Sequence, residues 1–187
     1  MMLNVKNCFK CDISLYRRNI VNGYGDRNAS IMFIGEAPGG TEDKYAVPFI
    51  GPAGKLFNSY LGLCNLSRDE VFVTNVIRCR PPGNRIPSPI EIHNCFPNLL
   101  ADIAEVKPKI IMLLGSVALK SYFNNNSAKI TKCAGSVIRL NHKIIIPNYH
   151  PSHILMNKDK YDESLAIYRK MIDVYRSEFN PFHESNF

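Results

Sequence analysis

Several side chains in this sequence have the types and spacing to do chemistry. Cys8-x2-Cys11 is a close thiol pair near the N-terminus, and Cys79 and Cys95 lie far downstream. Four thiolates can hold a [4Fe–4S] cluster or a zinc ion. Cys64 and Cys133 read as ordinary thiols. A carboxylate (Glu36, with Glu42 and Asp43 behind it), an amide (Asn75) and an imidazole (His150) each follow or end an apolar run. His150 is either a donor to a ligand carbonyl or a buried structural histidine. The string Arg78-Cys79-Arg80-Pro81-Pro82-Gly83-Asn84-Arg85 puts three arginines beside a rigid loop, which suits phosphate contacts or simply a solvated turn. Phe49, between Pro48 and Ile50, is a core plug or an aromatic platform. Ile154 and Leu155 are core, or a wedge for a base stack.

The elements that must position these groups alternate. Ile31–Ile34, Val71–Ile77, Ile110–Leu114 and Lys143–Ile146 are apolar, β-branched runs of the kind covered on both faces. Helical patterns separate them over Ala53–Leu63, Pro89–Val106, Ser116–Phe123 and Tyr161–Phe179. Ser88, Pro89 and Glu91 form a strong start signal, and Pro97 is expected to kink or split the helix that follows. Val137–Leu140 and Lys143–Ile146 flank Asn141-His142, so a hairpin is expected there. The alternation predicts an α/β three-layer sandwich with a mostly parallel, four-stranded central sheet flanked by helices. In open α/β sheets ligands bind at the carboxyl ends of the strands. The clusters Gly35–Gly39, Thr74-Asn75, Gly115-Ser116 and His150–Ser152 all fall there. The glycine-rich loop Gly35–Gly54 is neither a Walker loop nor G-x-G-x-x-G, so it gives no support for a nucleotide cofactor.

The chain has 187 residues, 45% hydrophobic and 21% charged, which is ordinary globular composition and room for one domain with its own core. A single domain over residues 1–179 and a frayed tail over 180–187 are expected. No apolar run is long enough to span a bilayer, and Met1–Cys11 lacks the apolar stretch of a secretory signal. No membrane partner is expected, and six cysteines without a secretory signal suggest a reducing, intracellular compartment. The net charge of +7 favours a polyanionic partner.

Taken together, the ordered strings resemble the family 4 (iron–sulfur) uracil-DNA glycosylases. The matching strings are Gly35-Glu36-Ala37-Pro38-Gly39, Glu42-Asp43, Pro48–Gly51 with Ala53-Gly54, Thr74-Asn75-Val76, Cys79–Arg85, Leu114–Ala118 and His150-Pro151-Ser152. They span Cys8 to about Leu155. The resemblance implies a monomeric, monofunctional enzyme that excises uracil from single- or double-stranded DNA. It implies a structural [4Fe–4S] cluster on Cys8, Cys11, Cys79 and Cys95. It makes Phe49 the stacking aromatic, Asn75 the reader of the uracil edge and His150 the donor to uracil O2. Glu36 is the first choice for the carboxylate that orients water and Asp43 the second. Glu42 would crowd the C5 side. Ala37 and Ser152 complete the base pocket, and Arg80, Arg85, Ser116 and Leu155 the DNA contacts.

The chain departs from the family pattern at Ala46, where glycine is usual, and at Met156, where arginine is frequent. Asn148-Tyr149 and Ala134-Gly135 depart as well. Arg80–Pro89 is too short for the inserted histidine loop of the covalent uracil-trapping relatives, so turnover is expected. No lysine is placed for Schiff-base chemistry. Two other readings compete: a catalytically weak module that binds uracil-containing or single-stranded DNA, and a zinc nucleobase deaminase. The deaminase lacks its H-x-E and P-C-x-x-C pattern.

Overall fold

The computed structural model describes residues 5–179; the expected C-terminal tail lies outside them. In chain order the strands are β1 (Tyr24–Gly25), β2 (Ile31–Gly35), β3 (Phe72–Asn75), β4 (Ile110–Leu114), β5 (Ile138–Leu140) and β6 (Lys143–Asn148). The helices are α1 (Gly40–Tyr45), α2 (Pro52–Leu63), α3 (Pro89–Val106), α4 (Ser116–Phe123), α5 (Ile130–Cys133), α6 (Pro151–Met156) and α7 (Tyr161–Phe179). The strands form one sheet in the order β1-β3-β2-β4-β6-β5. The four central strands are parallel, as their two-sided apolar character requires.

Two short antiparallel strands extend that sheet to six. The β5–β6 hairpin turns at Asn141 and His142, both at positive φ, the geometry of a tight two-residue hairpin turn. The other edge, β1, pairs with β3 over only two residues and leaves no periodic signal in the sequence. Its Gly25 has φ 121°, and a Cβ there would fall 1.9 Å from the Val71 carbonyl oxygen.

Alternate residues of each strand feed two cores, one on each face of the sheet. Phe33, Val73, Met112 and Ile146 pack with Phe57, Tyr60, Tyr168 and Met171 of α2 and α7. Met32, Ile34, Phe72, Ile111 and Leu113 pack with Leu99 of α3 and Ala118 and Leu119 of α4. This is the three-layer arrangement. Cys133 ends the short α5.

α3 begins as its sequence signal predicts, with the Ser88–Glu91 capping box formed. It runs as one element through Pro97. Pro97 and His93, whose carbonyl loses its helical partner there, are both exposed, so water can satisfy the freed acceptor. Among the described residues no helix is long and apolar enough to cross a membrane.

Candidate active site

β2 is central, β3 lies on one side of it and β4 on the other, so the chain reverses direction of travel across the sheet at this point. Such switch points open a crevice at the carboxyl ends of the strands. A cavity of about 710 Å³ lies there. Glu36, Ala37, Glu42, Phe49 and Asn75 line it, and so do Arg85, Ser116, His150, Ser152 and Leu155. Groups spread over more than a hundred residues of chain thus share one cleft.

Each polar group is placed by its element. Asn75 is the last residue of β3, paired in register with Gly35 of β2. It is only 2% exposed, and its Oδ1 is buried without a hydrogen-bond partner. An orphaned buried acceptor costs about 1–3 kcal/mol, so its retention points to a donor arriving with a ligand. Glu36 follows β2 directly, and burial raises its pKa above the usual carboxylate range.

His150 caps α6 and accepts the Ser152 backbone N–H at Nδ1, 3.2 Å away. The Ser152 hydroxyl lies 2.7 Å from the same nitrogen. A backbone N–H can only donate, so Nδ1 is unprotonated and the ring proton sits on Nε2. The ring keeps some accessible surface because it lines the cavity, yet protein surrounds it. Burial lowers its pKa to about 4, which leaves a neutral Nε2–H donor at physiological pH. Behind it, Gly115 at φ 90° has no Cβ; one would sit 3.0 Å from His150 Cβ.

Phe49 is 5% exposed, with its ring centroid 5.8 Å from that of His150. It is at once part of the core cluster and a wall of the cavity. Glu42 lines the cavity, and its Oε1 accepts the N–H groups of Ile50 (3.1 Å) and Gly51 (2.8 Å), which ties down the Phe49 loop. Ala46 closes α1 in the left-handed conformation at φ 58°, which explains why glycine suits that position.

The remaining expected site residues lie elsewhere or are otherwise engaged. Asp43 is buried, does not line the cavity, and accepts the backbone N–H groups of Arg18 (2.9 Å) and Asn19 (3.2 Å). It fastens the N-terminal segment. Arg78 is buried in a network with Asp102 and Thr74 and faces no solvent. Arg85 reaches the cavity wall but forms a two-pronged ion pair with Glu91 (2.8 and 2.6 Å). Those bonds hold Glu91 down to about 2. Arg80 lies beside Gly40 at the rim and donates to Asn84 Oδ1 (2.7 Å), with no carboxylate partner among the described residues. Leu155 is exposed at the cavity edge, beside the more exposed Met156.

Sequence reasoning missed Arg68, which donates to the carbonyls of Pro48 and Phe49. It also missed Tyr149 and His153, which line the cavity with rings stacked 5.9 Å apart. A lone arginine in a short turn carries no sequence signal.

Cys8, Cys11, Cys79 and Cys95 line a second, small cavity of about 20 Å³ on the α3 side of the sheet. Asn94 donates to the Lys10 carbonyl (2.7 Å) and Arg17 to that of Cys8 (2.7 Å), which brings the first pair over the second. Among the described residues no three ligating side chains converge on a point that would hold a single metal ion. The donor set, four cysteines lining one small cavity, is the one a [4Fe–4S] cluster takes. Burial pushes the Cys79 thiol up to about 12.

Comparison with known proteins gives a consistent result. Residues 22–174 match the profile of the uracil DNA glycosylase superfamily. A type-4 uracil-DNA glycosylase of Thermotoga maritima is 41% identical over 155 residues, covering 82% of this chain and 81% of the relative. One of Sulfurisphaera tokodaii is 44% identical over 161 residues, covering 82% and 73%. One of Archaeoglobus fulgidus is 36% identical over 174 residues, covering 89% and 87%.

Proposed function

The chain belongs to the uracil-DNA glycosylase superfamily, and from that membership we propose that its cleft excises uracil from DNA. The observation that carries the reading is Asn75, with its orphaned Oδ1, on the wall of a cavity that Glu36, Phe49 and His150 also line. Uracil in a duplex must leave the stack before its glycosidic bond is reachable. The extruded base stacks on Phe49. Asn75 Oδ1 accepts from uracil N3–H and its Nδ2 donates to O4. Cytosine presents the opposite pattern at both atoms, so a fixed amide rejects it.

The C1′–N1 bond breaks and its electron pair passes to the base. His150 Nε2–H donates to the developing charge on O2, where a neutral donor aimed at an oxyanion is most effective. Glu36 faces the positive charge that develops on the sugar and takes the proton of the water that bonds to C1′. Its raised pKa suits a base in a partly desolvated cleft. Asp43 is turned away and takes no part.

A [4Fe–4S] cluster on Cys8, Cys11, Cys79 and Cys95 would supply a cross-link between distant segments. The ring of cysteines and the family of the relatives support it. The chain's own residues do the rest there: Asn94 and Arg17 align the first cysteine pair, and Cys79 leads directly into the Arg80–Arg85 loop at the cleft rim. Uracil-containing DNA would pass Arg80 and Leu155 at that rim.

A multiple-turnover assay on a uracil-containing oligonucleotide tests the reading. Wild type should release many bases per protein, and Glu36→Gln should bind the oligonucleotide but turn over poorly. Stoichiometric binding without release by the wild type would leave only a binding module.

A further inference from the structure

The aromatic platform is held in a backbone conformation that its own side chain disfavours. Phe49 has φ 56°, a left-handed geometry that is a genuine outlier for a bulky residue. Such outliers persist only where the surroundings impose them. Gly54 gives room from one side, since a Cβ there would lie 2.0 Å from the carbonyl carbon and oxygen of Phe49. Glu42 holds the N–H groups that follow Phe49, at Ile50 and Gly51. Arg68 holds the carbonyls of Pro48 and Phe49, the latter at 3.3 Å. Resting on the uracil-excision reading above, we infer that Arg68 is a positioning residue: its guanidinium fork fixes the Phe49 loop so that the ring presents its face to the extruded base.

The surroundings of Arg68 are those of a clamp. It is half-buried and forms no ion pair among the described residues, so its charge is committed to neutral acceptors. Burial lowers its pKa, the mark of a guanidinium taken partly out of water. The rings of Tyr24 and Phe57 lie against it at 5.7 and 5.5 Å. Phe57 in turn packs on Phe49 at 5.2 Å. Arg68 therefore grips both the backbone and, through Phe57, the ring. It does not line the cavity, so it acts only through Phe49. A lysine could supply the charge but not the planar fork that spans two successive carbonyls.

The test separates base stacking from folding and from DNA binding. Free uracil, as a competing product, reports the base pocket without the DNA contacts. Arg68→Ala should raise the inhibition constant of free uracil and slow single-turnover excision, each by roughly 10–100-fold, the scale expected for a misplaced contact group. Its affinity for an undamaged duplex should stay at the wild-type value. Arg68→Lys should show the same split to a smaller extent, and it decides the matter if Arg68→Ala does not fold. Millimolar methylguanidinium should restore activity to Arg68→Ala, a rescue that a loss of general stability would not show. Arginine variants that are folded yet match wild type in uracil inhibition and excision would overturn the clamp. A wild-type protein that neither excises uracil nor is bound by it would instead overturn the enzymatic reading.

Discussion

Asn75 and Phe49 meet over the backbone of Gly35: a Cβ there would lie 2.5 Å from Asn75 Oδ1 and 2.5 Å from Phe49 Cζ. The amide and the ring are thus packed across one residue that has no side chain to part them. Gly35 also pairs with Asn75 in the sheet, so the register of β2 on β3 fixes the edge-reading group against the stacking group. The relation rests on two adjacent parallel strands of the central sheet.

Asn75→Ala should separate function from stability. It removes a buried acceptor that has no partner in the free protein. The melting temperature should stay level or rise, since an unsatisfied group costs about 1–3 kcal/mol. Uracil excision should fall by about 10² or more, because both edge contacts are lost. Calorimetry and a single-turnover assay check the pair of outcomes; a large loss of stability would contradict the account of the orphaned oxygen.

Burial raises the Glu36 pKa, so the folded protein holds that proton more tightly than the unfolded chain. The stability this confers is full below the ordinary glutamate value of about 4.3 and is lost as pH rises through the raised one. At neutral pH, Glu36→Gln should therefore melt higher than wild type while turning over far more slowly. The acid limb of kcat/KM should lie above the ordinary carboxylate range and disappear in Glu36→Gln. His150, with a pKa of about 4, should contribute only at the most acidic end. A pH–rate profile of both proteins reads this directly.

The parallel core of the fold was legible because strands covered on both faces write themselves as unbroken apolar runs. Tyr24–Gly25 was not, since two residues carry no period. In the site, Glu36, Asn75 and His150 could be found because they sit where strands end. Asp43 and Arg85 were harder for a shared reason. A charge in the sequence does not say whether its partner is a ligand or the protein itself. Asp43 is taken by backbone at Arg18 and Asn19, and Arg85 by Glu91. Arg68 was invisible for the same cause: its partners are carbonyls some twenty residues upstream, and only the folded chain brings them into reach.

The two rim arginines should therefore behave differently. Arg80 is free to meet phosphate, so Arg80→Ala should weaken DNA binding for all sequences alike and reduce the salt slope by about 1. Arg85 is bound to the capping box of α3, so Arg85→Ala should lower the melting temperature and leave the salt slope close to that of wild type. Salt titrations of binding and thermal melts on both variants distinguish them. Equal salt slopes and equal melts would contradict the assignment.

Replacement of Cys79 or Cys95 by serine should remove iron and the brown absorbance together. About four irons per chain are expected in the intact protein and few in the variants. The N-terminal segment and the Arg80–Arg85 loop should become the first regions to exchange amide hydrogens. Zinc in place of iron, at about one ion per chain, would contradict the cluster.

The most direct test of the whole is chromatographic detection of free base released from oligonucleotides that carry a single uracil, thymine or cytosine at one position. Wild type should release uracil alone, and His150→Ala should slow that release by roughly 10²–10³-fold, the typical effect of losing one oxyanion donor. Release of thymine or cytosine at a comparable rate, or wild-type release by His150→Ala, would contradict the proposed cleft chemistry.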